Sequence, residues 1–213
     1  MIKITMAALA ASLMLASCGN KGGEVSHATS SKDIAIENIL NRKSVRNYLP
    51  DTAIAPEVME GMLRCAMAAP TGMDKRPWRF VVVNNTAAFD TILDESDFNR
   101  KMYLSASAVV IFCADTTSTR QDSTGTTVVF PNPIWRDDMG ACVENFLLAA
   151  EANGLGACWT ACYPFAERMA PIKKVFGLPN NVQPYALVAI GYPAGMTQPK
   201  DKWKPENIHY DRW

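Results

Sequence analysis

Apolar positions recur along this chain with two spacings. Met59, Met62, Leu63, Ala66 and Met67 follow the three- and four-residue rhythm of a helix face and predict a helix over 56–69. Pro56 suits the first turn, Glu57 and Glu60 suit the positive end, and Pro70 stops the helix. Met139, Val143, Phe146, Leu147 and Ala150, with Cys142 beside them, predict the longest helix over 134–153, ended by Gly154 and Gly156. Shorter helices are predicted over 34–40, 86–93 and 165–176. β-branched and aromatic runs predict strands over 78–83, around Cys158 and over 185–190. The run 108–113 is nearly all apolar, which predicts a strand buried on both faces. The Thr- and Ser-rich stretch 116–127 reads as a loop or insertion, and the Pro-broken tail 194–213 as a segment wrapping over a surface. Helices and strands alternate loosely, so the expected architecture is α+β, a central mixed β-sheet flanked by helices.

The first residues follow neither rhythm. Lys3 precedes an apolar run over 6–16 that is too short to span a bilayer as a permanent helix. Leu15-Ala16-Ser17-Cys18 then resembles the cleavage box of bacterial lipoproteins, in which the Cys becomes the lipidated first residue. That resemblance implies a signal peptide over 1–17, lipidation at Cys18 and a membrane-anchored protein on the periplasmic or outer-membrane side. Residues 18–33 are rich in Gly, Ser, Asn and Lys and read as a flexible tether, leaving 34–213 as one folded domain.

Formal net charge is zero, from 21 basic and 21 acidic residues, which argues against a nucleic-acid partner. Of six cysteines, five remain once Cys18 is lipidated. The number is odd and their neighbours are apolar, so buried free thiols are expected rather than a disulfide framework. With two histidines and no second cysteine pair at ligand spacing, no metal site is expected.

Four clusters carry candidate chemistry. Arg42-Lys43-Ser44-Val45-Arg46 gathers three cations and a hydroxyl, a donor set suited to phosphate. Ala69-Pro70-Thr71-Gly72-Met73-Asp74-Lys75-Arg76-Pro77-Trp78 is a proline-bracketed turn able to offer backbone amides to a planar ligand. Gly154-Leu155-Gly156-Ala157-Cys158-Trp159-Thr160 permits close approach to the backbone. Lys200-Asp201-Lys202-Trp203-Lys204 is a second basic patch. Taken singly, these describe a solvated basic face, a helix–strand connection, a helix cap and a polar tail.

In this order and at these separations they resemble the nitroreductase family from about Ile36 to Trp213. The basic cluster is similar to the family's Arg-Arg-Ser-x-Arg opening, and the turn with Pro77-Trp78 to its Ala-Pro-Ser/Thr turn and Gln-Pro-Trp strand entry. Residues 138–156 are similar to its central helix and exit. The resemblance implies an FMN-dependent oxidoreductase, a two-fold homodimer with FMN at the interface. Arg42, Lys43, Ser44 and Arg46 would hold the phosphate, ribityl chain and polar ring edge, with Lys200 or Lys202 completing the phosphate site. Pro70, Thr71, Gly72 and Asp74 would come from the other subunit. The backbone near Thr160, Ala161 and Cys162 would lie against the flavin, with Trp159 as packing.

The implied reaction passes a hydride through flavin N5 to a small acceptor such as a nitroaromatic or quinone, by a ping-pong cycle with no catalytic side chain. Alternatives are a same-fold dehalogenase or dehydrogenase, and a flavin-binding lipoprotein acting as carrier or sensor without turnover. Cytoplasmic relatives use NAD(P)H, a pool that a protein facing outward does not meet, so the donor stays open. Two departures stand out: Asp74 where the family commonly has Asn, and Arg76 where it commonly has Gln. An ionised carboxylate near the ring disfavours a reduced anionic flavin unless Arg76 or Arg46 pairs with it.

Overall fold

A computed structural model describes residues 30–93, 95 and 97–213. The signal segment, Cys18 and most of the tether lie outside the described residues. The helices are α1 (Ser31–Asn41), α2 (Pro56–Met67), α3 (Arg100–Ser105), α4 (Trp135–Ala152) and α5 (Ala166–Val175). The strands are β1 (Trp78–Val83), β2 (Ala108–Asp115), β3 (Thr117–Gln121), β4 (Thr127–Pro131), β5 (Gly156–Ala161) and β6 (Val182–Gly191).

Strand β2 sits inside the main sheet, whose order is β1-β2-β6-β5. Its two faces divide the core by strand alternation. Val110, Phe112 and Ala114 pack with Met62, Ala66, Met139, Val143 and Phe146 beneath α2 and α4. Val109, Ile111 and Cys113 pack with Phe89, Met102, Tyr103 and Ile172 on the other side. The expectation of burial on both faces is met: the first seven residues of β2 are buried. Phe112 meets Phe146 edge-on at 5.2 Å, tying the sheet to α4. Removing a ring of this kind from a core costs about 3–5 kcal/mol.

The named strand pairings are all antiparallel. The parallel element that makes the arrangement mixed is one isolated bridge, Ser44 to Ala157, at the outer edge of β5. Helix α4 ends as its glycines predict. Gly154 takes a φ of 69°, and Leu155 N–H returns to the Ala150 carbonyl at 2.9 Å, so the terminal carbonyls are satisfied.

Two sequence expectations need correction. Residues 116–127 are not a loop: β3 and β4 form a separate antiparallel hairpin. The segment 86–93 forms a 3-10 helix over Thr86–Thr91 rather than an α-helix, and α3 was not foreseen. The tail is exposed from Ala194 onward, and its 197–203 stretch lies beside residues 39–46 of the same chain.

The segment after α1 is fastened along the sheet. Val45 N–H donates to the Ala157 carbonyl at 3.0 Å, and Tyr48 Oη donates to the Val45 carbonyl at 2.6 Å and lies 3.0 Å from that of Ala189. Leu49 N–H bonds Tyr192 and Ala194 N–H bonds Asn47, so the chain leaving β6 starts beside the basic cluster. Gly156 makes this seam possible, since a Cβ there would lie 2.6 Å from Val45 Cβ. Gly156→Ala should therefore destabilise the chain by about 1–3 kcal/mol, as overpacking does, measured by chemical denaturation. An unchanged midpoint would mean that the seam yields freely.

Candidate functional site

The two basic patches meet. A cavity of about 290 Å³ is lined by Arg42, Lys43, Ser44, Arg46, Thr197, Gln198, Lys200 and Lys202. Five of these eight side chains are cationic and none is acidic. The seam just described brings them together: β5 holds Ser44 and Val45 by one edge, and Asn47 holds the start of the tail.

Two of the cations are engaged from behind. Arg42 Nε lies 3.0 Å from Glu144 Oε1, and Lys43 Nζ lies 2.7 Å from Glu151 Oε1. Both carboxylates come from α4, seven residues and so about two turns apart on one face. Arg46, Lys200 and Lys202 make no ion pair among the described residues. A larger hollow of about 580 Å³ between the 49–54 and 104–107 segments has Asp51 as its one charged lining residue and offers an anion no cation.

The 70–76 turn stands elsewhere on the same chain. Gly72 N–H donates to Asp138 Oδ1 at 2.9 Å, in the first turn of α4, whereas Glu151 sits near that helix's last turn. Along the helix Asp138 stands roughly 9 Å from Glu144, which holds Arg42, and roughly 20 Å from Glu151, which holds Lys43. Within one chain none of Pro70, Thr71, Gly72 and Asp74 lines the basic cavity. Asp74 and Arg76 form a two-pronged pair, Nε to Oδ1 and Nη2 to Oδ2, both 2.6 Å. The Arg76 hydrogen bond holds the Asp74 carboxyl below its ordinary range.

The end of β5 occupies a third position, about 10 Å along the strand from Ala157. Thr160 Oγ1 donates to the Leu187 carbonyl at 3.0 Å and also pairs with Tyr103 Oη, so the tyrosine is the donor to Thr160. Burial pushes the Tyr103 phenol up, and it keeps that proton. Cys162 turns its amide inward to the Tyr185 carbonyl. Ala161, one residue out of phase, faces the open edge, where its carbonyl accepts from Arg168 at 2.9 Å. It lines a separate cavity of about 330 Å³ with Tyr103, Arg168 and Ile172. Trp159 packs against Tyr185 at 5.9 Å, as its packing role requires.

Sequence reasoning missed Asp138, Glu144, Glu151, Thr197 and Gln198. The seven-residue spacing of Glu144 and Glu151 marks a shared helix face, and nothing local says which cations it meets.

Residues 39–192 match the family model described as the nitroreductase family. The chain belongs to the nitroreductase family. It is 32% identical over 183 residues to a Methanothermobacter thermautotrophicus protein provisionally named NADH dehydrogenase/NAD(P)H nitroreductase, covering 86% of this chain and 90% of that one. A solved Bacteroides thetaiotaomicron structure bearing the same provisional name is 39% identical with a TM-score of 0.72, over 84% of this chain and 98% of that one. The fold persists at 19% identity in a Clostridium difficile structure described as an FMN-dependent nitroreductase, TM-score 0.71, over 84% and 99% of the two chains. The chain is thus a nitroreductase-type oxidoreductase.

No side chain in this nitroreductase's site is an activated nucleophile. Burial pushes the Cys162 thiol up to about 12, as it does those of Cys113 and Cys142. Cys113, Cys142, Cys158 and Cys162 are buried and unpaired, and Cys65 is exposed. Ellman titration near neutral pH should modify Cys65 rapidly and the other four only on unfolding. Rapid modification of Cys162 in the folded chain would mean that the β5 end is open to solvent.

Proposed function

We propose that this nitroreductase binds FMN, with the phosphate and ribityl end in the basic cavity and the ring against a second copy. It passes reducing equivalents from a donor to a small acceptor such as a nitroaromatic or quinone, the two reacting in turn at one site. The observation carrying this reading is the cavity lined by five cations and no carboxylate, assembled from both ends of the folded domain. Its donor set fits a phosphate dianion: Arg46 offers a planar fork, Lys200 and Lys202 point charges, and Ser44 a hydroxyl. Arg42 and Lys43, already tied to α4, add field rather than free donors. Its volume of about 290 Å³ falls just under the roughly 300–1,000 Å³ usual for whole-ligand sites, as suits a pocket for one end of the cofactor.

Within one chain the 70–76 turn lines no part of that cavity. A two-fold homodimer places the turn of one copy at the cavity of the other, which is the reading the family resemblance supports. Bound flavin would supply the hydride chemistry. The chain's own residues hold the phosphate, wall the ring and keep protons on Tyr103 and Cys162, so neither acts as acid or base near neutral pH.

Anchoring by lipid at Cys18, on the outer side of a bacterial membrane, rests on Leu15-Ala16-Ser17-Cys18. No helix of the described residues is long and apolar enough to cross a membrane. Cys18→Ala should move the chain out of the membrane fraction, and unchanged fractionation would remove the anchor.

Titrating the purified full chain with FMN and with riboflavin tests the phosphate site. A hydrogen bond to a charged group contributes about 1.5–3 kcal/mol. Arg46→Ala and Lys202→Ala should each weaken FMN by roughly ten- to a hundredfold and leave riboflavin, which lacks the phosphate, unchanged. Equal losses for both ligands, or none, would overturn the assignment. Loaded chain that is bleached by reductant and never recovers colour with a quinone or nitroaromatic would be a carrier, not an enzyme.

A further inference from the structure

We infer that Asp138 is a positioning residue: its Oδ1 holds the Gly72 amide and thereby sets where the 70–76 turn meets the ring. The inference rests on the flavin reading above and names a residue that reading does not require.

The turn is poorly suited to hold itself. Met73, Asp74 and Arg76 are non-glycine residues with φ of 52°, 54° and 47°, in the left-handed region that side chains disfavour. Its internal backbone bonds, Asp74 N–H to Thr71 and Lys75 N–H to Gly72, are 3.3 and 3.2 Å. The Asp74–Arg76 pair is about two-thirds exposed on both sides, so water competes for it. Lys75 rests over the Phe130 ring at 5.0 Å, a contact without hydrogen-bond direction.

Asp138 supplies what these lack. Its side chain is 5% exposed, and it comes from an 18-residue helix packed into the core. It lies in the first turn of α4, where the helix terminus favours negative charge. Gly72 lies close to this terminus: a Cβ there would overlap Ile134 Cδ1 and stand 3.9 Å from Asp138 Oδ1.

The second oxygen decides how the residue should be tested. Asp138 Oδ2 is buried and has no hydrogen-bond partner among the described residues. Asparagine keeps Oδ1 as acceptor and breaks no bond by replacing Oδ2. Alanine removes the acceptor and frees the turn.

The experiment compares FMN and riboflavin dissociation constants for the full chain and for Asp138→Asn and Asp138→Ala. Asp138→Ala should weaken both flavins by about tenfold or more and leave the preference for FMN intact, because the turn faces the ring. Asp138→Asn should stay within about threefold of the parent. An alanine variant that binds both flavins like the parent overturns the inference, as does an asparagine variant as weak as alanine. If the alanine variant does not fold, amide exchange in the parent decides: a Gly72 amide exchanging as fast as that of exposed Met73 overturns it, and a protected one supports it. A parent that binds neither flavin defeats the flavin reading, and Gly72 exchange still reports separately whether Asp138 holds the turn.

Discussion

Five cations around one cavity repel one another, and the fold must hold them there. Two unit charges ~7 Å apart at an effective dielectric constant near 20 repel by about 2 kcal/mol. Local sequence offers only Asp201, between Lys200 and Lys202, to offset that. The opposing forces are distant: Glu144 and Glu151 draw Arg42 and Lys43 back against α4, and Val45 is hydrogen-bonded to Ala157. The Ala194–Asn47 bond brings in the tail with its lysines. Arg46, Lys200 and Lys202 make no ion pair among the described residues, so a dianionic ligand would relieve their mutual repulsion.

Helix α4 is the common reference for both parts of this arrangement. Its advance of 100° per residue puts Glu144 and Glu151 on nearly the same side and Asp138 more than a third of a turn away. One side steadies the basic cavity and the other holds the 70–76 turn. The turn and cavity of one chain thus point in different directions from the same rigid rod. That is the geometry expected when each site draws one wall from a neighbouring copy, and it makes the packing of α4 against Phe112 and Met62 a determinant of the site as well as of stability.

Elements that bury a face were legible in the sequence. Helix α2 announced itself through Pro56 and the Met59, Met62, Ala66 spacing, and β2 through an unbroken apolar run. The β3–β4 hairpin was not, because its strands bury almost nothing: Thr119, Arg120 and Gln121 are exposed, and so are Val128 and Val129. Without a buried face there is no alternation to read, and Thr-rich composition looks like a loop. The site divides the same way. Both basic clusters were visible as clusters, but their meeting depends on β5 pairing with β6 and on Gly156, which are non-local. Asp138, Glu144 and Glu151 read in isolation as ordinary acids on a solvated helix; only the fold gives them partners.

The two departures from the family pattern change meaning once the structure is known. Taken singly, Asp74 would add a negative charge to the turn and Arg76 a positive one. Joined by two short hydrogen bonds, they form a nearly neutral unit. The substitutions are therefore best understood as a pair: each residue alone would shift the local charge by one unit, and together they restore the balance of the neutral Asn and Gln they replace. The pair depends on pH in one direction only. The Asp74 carboxyl titrates below its ordinary range, so the ion pair is complete above that range and lost as pH falls through the lowered value, leaving Arg76 a free cation.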